Sequence, residues 1–301
     1  MIYRYSIAQN VFTISVSDGL EAWKELKPRF SLFEAMSDDI PILEIKIKEG
    51  TIGKTEVPDV YRPTFLGVGL IDARYWKLDD GGHVMEFKHV KEHSTRMTMT
   101  ISERCDRAEI VLDPRGDGND SYHLSHALMI AFMMGVSGNG TLLFHSSAVM
   151  YDGRAYLFQG KSGTGKSTHA SLWTANVEGA ELLNDDHPLV RFSDNGTAVA
   201  YGSPWSGKTH CYRNESAPLG AIVRIIRGKE NDLHRIKALK AFVSVMPSVF
   251  YIPFMTPEQR DMHRNTLERL VTEVKCYEMH CRPDKEAALT CMRGLTAKPE
   301  K

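Results

Sequence analysis

The chain has 301 residues, of which 42% are hydrophobic and 25% are charged, a composition typical of a globular protein with a full core. Its formal net charge of −1 excludes wholesale electrostatic binding to nucleic acid or to an anionic membrane surface. The five cysteines are odd in number and include no Cys-x-x-Cys pair, which favours reduced thiols over a disulfide framework.

We expect no signal peptide at the first residues of this sequence. Met1 to Ser6 lack the basic segment and the apolar core of a signal peptide, and no apolar run in the chain approaches the length of a membrane span. We therefore expect a soluble, cytoplasmic protein with neither a membrane nor a nucleic-acid partner.

Residues 1–119 predict a smaller, β-rich N-terminal domain. Alternating apolar and polar residues, typical of half-buried strands, occupy positions 11–16, 42–47, 94–101 and 108–112. Asp79 to Gly82 form a turn signal between two further runs, 74–78 and 83–89, which predicts a β-hairpin. We expect an antiparallel sheet with one face in water, and this domain is a candidate for presenting a substrate.

A composition shift marks the domain boundary. The segment from Asp113 to Asp120 is rich in glycine, aspartate and asparagine, as linkers are, so we place the second domain at 120–301. From Ser121 apolar residues recur at spacings of three and four, which predicts a helix that ends at 137–140.

Two predicted strands follow that helix. The first, 141–150, contains His145, and Asp152-Gly153 then turns the chain into a short apolar strand at 155–159. A histidine within a strand is most often a structural residue, so His145 is a candidate functional residue only in combination with the motifs that follow it in the sequence.

The next stretch is a Walker A motif, or P-loop. Its residues are Gly160-Lys161-Ser162-Gly163-Thr164-Gly165-Lys166-Ser167-Thr168, which fit G-x-x-x-x-G-K-[ST] between the predicted strand and a predicted helix. Glycines allow successive backbone N–H groups to point at one anion, and the helix N-terminus adds partial positive charge there. Lys166 is expected to reach the β- and γ-phosphates of ATP, and the Ser167 hydroxyl to join the Mg²⁺ shell.

Further along, an apolar strand ends in two carboxylates, Asp185 and Asp186. Downstream of a P-loop, such a pair predicts groups that hold a metal ion and orient the nucleophile. A second loop at 201–209, rich in glycine, serine and proline, carries Lys208, which lies either near phosphate or in a surface turn. The remaining patterns predict a strand at 221–226, helices at 234–250, 256–272 and 284–295, and a strand at 274–279.

The run His145-Ser146-Ser147-Ala148, the P-loop and Asp185-Asp186 occur in the order and spacing of a known family. Residues 121–230 resemble the HPr kinase/phosphorylase-like family within the phosphoenolpyruvate carboxykinase superfamily. The resemblance implies an α/β fold, with a P-loop domain of mixed sheet and helices after the β-rich domain. It also implies an ATP-dependent serine kinase that uses Mg²⁺, or alternatively Mn²⁺.

The resemblance also implies a role for each matching residue. Lys166 and the backbone of 160–168 would bind the phosphates, and Ser167 with Asp186 would hold the metal. Asp185 would be the base toward an acceptor hydroxyl, with His145 contacting or tuning an aspartate. Which aspartate has which role stays open. The acceptor implied is a serine of a peptide or small protein, and a homo-oligomer is left open because family members form rings.

The departures from the family leave alternatives. Ser206-Gly207-Lys208 stands where HPr kinases carry the Glu-Arg-Gly segment linked to phosphorolysis, which argues against phosphorylase activity. A carboxykinase-like or small-molecule kinase is one alternative function. A non-catalytic nucleotide-sensing module is another, although pure binding would not require His145 and the paired aspartates.

Overall fold

The computed structural model describes residues 1–52, 71–89, 95–114, 120–252 and 255–297. These form two compact units, Met1–Val136 and Ser137–Lys301. Each unit contains a mixed β-sheet and helices, so the chain is α/β. The central part of the predicted linker, 115–119, lies outside the described residues.

The N-terminal unit has a seven-stranded sheet in the order β1-β2-β3-β7-β6-β5-β4. Its elements are β1 (Ile2–Ile7), β2 (Asn10–Val16), α1 (Glu21–Ser31), β3 (Leu43–Glu49), β4 (Ile71–Lys77), β5 (His83–His89), β6 (Thr95–Ile101), β7 (Arg107–Leu112) and α2 (Asp120–Val136). The predicted hairpin is present, since β4 and β5 pair antiparallel with Lys77 opposite His83.

The expectation of a purely antiparallel sheet is wrong. Strand β3 runs parallel to both of its neighbours, β2 and β7. For the β2–β3 pair the cause is α1, a helix that the sequence analysis did not predict. A helix between β2 and β3 carries the chain back to the end of the sheet from which β2 started, which makes the next strand parallel.

Helix α2 belongs to the N-terminal unit, which moves the boundary from residue 119 to residue 136. The rings of Phe132 and Phe12 lie 5.3 Å apart, which joins α2 to β2. A Cβ added at Gly135 would lie 3.2 Å from the Leu43 Cβ, so the helix backbone runs close to β3. The composition shift therefore marks the start of α2 rather than the boundary between the two compact units.

The C-terminal unit is built on a nine-stranded sheet. Its elements are β8 (Leu142–Leu143), β9 (Ser146–Tyr151), β10 (Arg154–Gln159), α3 (Lys166–Asn176), β11 (Glu181–Asp186), β12 (Leu189–Phe192), β13 (Ala198–Tyr201), β14 (Ser216–Arg227), β15 (Asp232–Ile236), α4 (Ala238–Val245), α5 (Pro257–Glu273), β16 (Lys275–Cys281) and α6 (Lys285–Thr296). The main path is β11-β9-β10-β14-β13-β12-β8, with β16 beside β14 and β15 beside β16. Strands β10, β14 and β16 are parallel, so their carboxyl ends share one edge.

Two hydrophobic cores lie on the two faces of this sheet. Strand alternation sends Leu157 into one core, which includes residues of α4 and α5, and Phe158 into the other, which includes residues of α3 and α6. On the second face, burial lowers the pKa of His169 to about 4, and the neutral ring accepts a hydrogen bond from Trp173 Nε1 at 3.2 Å. This packing fixes α3, and with it the P-loop, against β10.

The late elements match the predicted patterns with one exception. Thr256 caps α5 as expected, because its Oγ1 accepts from the Gln259 N–H and the Gln259 side chain accepts from the Thr256 N–H. The helix predicted over 234–250 is shorter, since its first residues form β15, an edge strand against β16. Within the described residues, none of the helices has the length and hydropathy needed to cross a bilayer.

Candidate active site

The P-loop connects the end of β10 to the N-terminus of α3. Gly160, Gly163 and Gly165 have φ values of +151°, +77° and +109°, backbone conformations that L-residues with a side chain rarely adopt. A Cβ at Gly160 would also lie 3.0 Å from the carbonyl oxygen of Ile225 on β14. The loop conformation therefore requires glycine. It ends at a helix start, where free backbone N–H groups favour an anion.

Lys166, the first residue of α3, is buried in the site. Its Nζ donates to the Gly160 carbonyl oxygen at 3.2 Å and lies 3.0 Å from His145 Nε2. Burial lowers the pKa of this lysine, and the negative charges of Asp186 and Asp185 oppose the shift. Because an ammonium group has only donors, His145 Nε2 is the acceptor of this bond.

His145 lies between β8 and β9, so the expectation of one continuous strand over 141–150 is wrong. Strand β8 pairs with β12, whereas β9 pairs with β10 and β11, so the chain changes partners at this residue. The His145 N–H donates to the Ser248 carbonyl oxygen at 2.7 Å, and the Phe144 N–H to the Pro188 carbonyl oxygen at 3.0 Å. This interruption between the two strands places the His145 side chain, which is 45% exposed, between Lys166 and the end of β11.

Asp186 is the partner of two histidines. Its Oδ1 lies 2.9 Å from His145 Nδ1, and its Oδ2 lies 3.3 Å from His187 Nδ1. Burial alone would raise the pKa of Asp186, but the hydrogen bond from His145 and the neighbouring positive charge, that of Lys166 included, bring the net pKa below its ordinary value. Lys166, His145 and Asp186 thus form a continuous hydrogen-bonded chain from the P-loop to β11.

Asp185 is 3% exposed and is held from both sides. The Ser147 hydroxyl on β9 donates to Oδ1 at 2.7 Å, and the Thr209 hydroxyl donates to Oδ2 at 2.5 Å. The backbone of the same residue is fixed as well, because the Gly207 N–H donates to the Asp185 carbonyl oxygen at 2.5 Å. Each carboxylate oxygen therefore accepts a hydrogen bond from a hydroxyl group, which is the contact by which a base orients an alcohol.

The loop 202–215 that supplies Thr209 is anchored by buried polar groups. Asn184 is fully buried, and its Nδ2 donates to the carbonyl oxygens of Trp205 and Ser203 at 3.1 and 3.3 Å. The Asn184 Oδ1 accepts from the His187 N–H at 2.8 Å, and the Ser203 hydroxyl donates to the His187 carbonyl oxygen at 2.6 Å. One buried amide thus couples the loop to the strand end that carries the aspartates.

The predicted site residues separate into two groups. His145 contacts both Lys166 and Asp186, and Asp185 precedes Asp186 on β11. Ser167 and Lys208 are exposed, and within the described residues neither side chain forms a hydrogen bond or an ion pair. The side chains of Lys161 and Ser162 in the loop and of Thr168 at the start of α3 are also exposed.

Sequence reasoning missed Ser147, Asn184, His187 and Thr209 as contributors to the site. His187 directly follows the aspartate pair, so adjacency was a usable signal for it. Ser147 and Thr209 lie 38 and 24 residues from Asp185, and nothing in the local sequence pairs them with it.

The donors around Asp186 can be compared with the requirements of a metal ion. Ligand atoms of His145, Asp186 and His187 lie within 4.8 Å of one another. Magnesium prefers oxygen ligands at nearly octahedral geometry, whereas imidazole nitrogens suit first-row transition metals. A metal ion at Asp186 would take a carboxylate oxygen as ligand, and imidazole nitrogens that also coordinated it would favour Mn²⁺ over Mg²⁺.

Comparisons with known proteins assign no family. No protein-family model matches the chain, and no curated protein matches it. Among solved structures, the HPr(Ser) kinase/phosphatase from Coxiella burnetii matches 51% of this chain and 92% of its own, with 10% sequence identity and a TM-score of 0.29. That TM-score is too low to support an argument about function.

Proposed function

We propose that this chain is an ATP-dependent phosphotransferase that moves the γ-phosphoryl group to a hydroxyl, with a serine of a peptide or small protein as the acceptor. One observation carries the proposal. Lys166 of the P-loop is hydrogen-bonded to His145, which is bonded in turn to Asp186 beside the buried Asp185. Hydrogen bonds therefore connect the lysine of the proposed phosphate-binding loop to the groups that would activate the nucleophile.

Each group has a defined task in such a transfer. The backbone of 160–168 and the Lys166 ammonium bind the phosphates and neutralise charge on the moving group, which is most of what phosphoryl transfer requires. Asp185 accepts the proton of the attacking hydroxyl, and the Ser147 bond fixes its orientation. A divalent metal bound by Asp186 and Ser167 would add positive charge at the β- and γ-phosphates. His145 positions Asp186 and Lys166 relative to each other, because its ring nitrogens contact both of them.

The test separates binding from transfer. Calorimetry with Mg²⁺ and ATP, followed by an assay for ADP release with serine-containing peptides, should show binding and turnover for the parent chain. Asp185→Asn should bind ATP but lose turnover. The exposed Asp194→Asn is the matched control and should keep both. Absence of phosphoryl transfer to any peptide, protein or small-molecule hydroxyl by a folded, ATP-bound chain would refute the proposal.

The two imidazoles beside Asp186 favour a second candidate, a carboxykinase-like or small-molecule kinase that uses Mn²⁺. This candidate predicts that turnover rises when Mn²⁺ replaces Mg²⁺, with oxaloacetate or a free amino acid as the substrate. The peptide kinase predicts transfer to serine with either metal. The third candidate, a nucleotide-sensing module, predicts binding by the parent chain with no turnover on any acceptor.

A further inference from the structure

The hydroxyl of Thr209 lies against the carboxylate of Asp185, the group that the proposed function makes the base. Its Oγ1 lies 2.5 Å from Asp185 Oδ2 and donates its proton there. A candidate base must lie within hydrogen-bond reach of the proton that it removes, and this pair already does.

Thr209 differs from the other hydroxyls at this aspartate. Ser147 is 1% exposed and lies inside the sheet, where no phosphate group could be added. The half-buried Ser206 donates to the Asp185 carbonyl oxygen at 3.4 Å and accepts from the Cys211 N–H at 3.2 Å. Thr209 is an exposed residue that contacts the carboxylate itself. Among the described residues it alone combines the two properties.

Backbone contacts with the end of β11 hold the segment that leads to Thr209. Ser206 forms an antiparallel bridge with Asp186, and the Gly207 N–H donates to the Asp185 carbonyl oxygen. A Cβ at Gly207 would lie 2.7 Å from that carbonyl oxygen, so only glycine permits the approach. The segment Ser206-Gly207-Lys208-Thr209 thus runs against the end of β11 and presents a hydroxyl to the base.

We propose that Thr209 is an autophosphorylation site, modified in cis by the chain that carries it. The inference rests on the proposed phosphotransferase function. In the step, Thr209 Oγ1 bonds to the γ-phosphorus of ATP, and the bond from that phosphorus to the β,γ-bridging oxygen breaks. ADP leaves with the bridging oxygen, and the hydroxyl proton passes to Asp185 Oδ2 and then to water.

The reaction stops after one turnover. Phosphothreonine has no hydroxyl proton to donate and carries about −1.5 to −2 charges at neutral pH, so Asp185 and Asp186 repel it. The expected product is therefore one phosphoryl group per chain, after which the acceptor position at Asp185 is open to another hydroxyl.

The experiment incubates the full chain with ATP and Mg²⁺, and in parallel with Mn²⁺, and follows the intact mass over time. We expect a gain of one phosphoryl group, located at Thr209 by fragmentation, with a rate constant that does not depend on chain concentration. Thr209→Ser should keep the modification, and Thr209→Val, Asp185→Asn and Lys166→Met should lose it. The exposed Thr197→Val is the matched control and should be modified like the parent.

The readouts distinguish the inference from the function on which it rests. A chain that binds ATP and phosphorylates an added acceptor while Thr209 stays unmodified would overturn the inference and leave the proposed function in place. A chain that binds no ATP contradicts both. A rate constant that rises with chain concentration overturns the assignment in cis. Circular dichroism and ATP calorimetry on Thr209→Val ensure that its loss of modification is not a loss of folding.

Discussion

Replacing Lys166 with methionine should remove most of the nucleotide affinity while leaving the fold intact. The lysine is 8% exposed, and burial already disfavours its charged form. Methionine keeps the apolar stem and removes the ammonium group, so relief of the cost of burying a charge offsets the two lost hydrogen bonds and the unfolding free energy should change little. In the nucleotide complex, by contrast, the ammonium group would make a charge-assisted hydrogen bond to phosphate.

Such a bond contributes about 1.5–3 kcal/mol, and each 1.4 kcal/mol is a factor of about ten in affinity. We therefore expect the Kd of Lys166→Met for ATP to rise by roughly ten- to hundredfold, measured by calorimetry in the presence of Mg²⁺. Affinity for adenosine, which has no phosphate, should be unchanged. The change in Kd should be similar for ADP if Lys166 contacts mainly the β-phosphate.

Lys161→Met is the matched control, because Lys161 lies in the same loop but is exposed. It should change the Kd by no more than about fivefold, since exposed charge pairs contribute about 0–1 kcal/mol. Equal losses in the two variants would mean that affinity reflects the net charge of the loop. An unchanged Kd in Lys166→Met would refute the assignment of this lysine to the phosphates.

Three further perturbations test other parts of the site. Gly160→Ala should destabilise the chain by ~2 kcal/mol and abolish ATP binding, because φ is +151° and the new Cβ would lie 3.0 Å from the Ile225 carbonyl oxygen. Gly153→Ala, at φ +68° with open space around it, should cost only ~1 kcal/mol by thermal melts and keep binding. For Asp186 the folded pKa is lowered, so its ionised form stabilises the fold above the unfolded pKa of about 3.9, and this contribution is lost as pH falls toward the folded pKa. Urea unfolding should accordingly show a stability gap between parent and Asp186→Asn that narrows on acidification; a gap constant with pH would contradict the pairing. Asn184→Ala should cost ~2–3 kcal/mol, because buried backbone groups of the loop lose their partner, and limited proteolysis should then cut within 202–215. Unchanged protease resistance would mean that the loop is held by its other contacts.

Local sequence patterns were sufficient to predict the strand, loop and helix around the Walker A motif. The glycine spacing from Gly160 to Gly165 and the apolar run before it predicted a strand, a loop and a helix, and β10 and α3 lie at those positions. Such features depend on residues within one or two turns of each other, so periodicity and backbone preference carry them. The β4–β5 hairpin and the capping box at Thr256 were predictable for the same reason.

The organisation of the N-terminal unit depended on packing. Helix α2 follows a linker-like segment, and its sequence gives no sign of which unit it joins. Its contacts with β2 and β3 through Phe132 and Gly135 place it in the N-terminal unit. The parallel pairing of β3 with β2 likewise depends on α1, a helix that the alternating strand patterns do not reveal.

By itself, the sequence determined that this protein has a P-loop followed by a strand ending in two aspartates, with a histidine upstream. Only the tertiary structure decided how these groups meet. His145 reaches both Lys166 and Asp186 because β8 and β9 pair with different strands, and that pairing depends on the sheet as a whole. Ser147 and Thr209 reach Asp185 from opposite directions along the chain because the sheet and the 202–215 loop bring their backbones together. Hydrogen bonds between residues far apart in sequence form only when the fold offsets the entropic cost of closing the intervening loops. No local sequence pattern predicts which of these bonds will form.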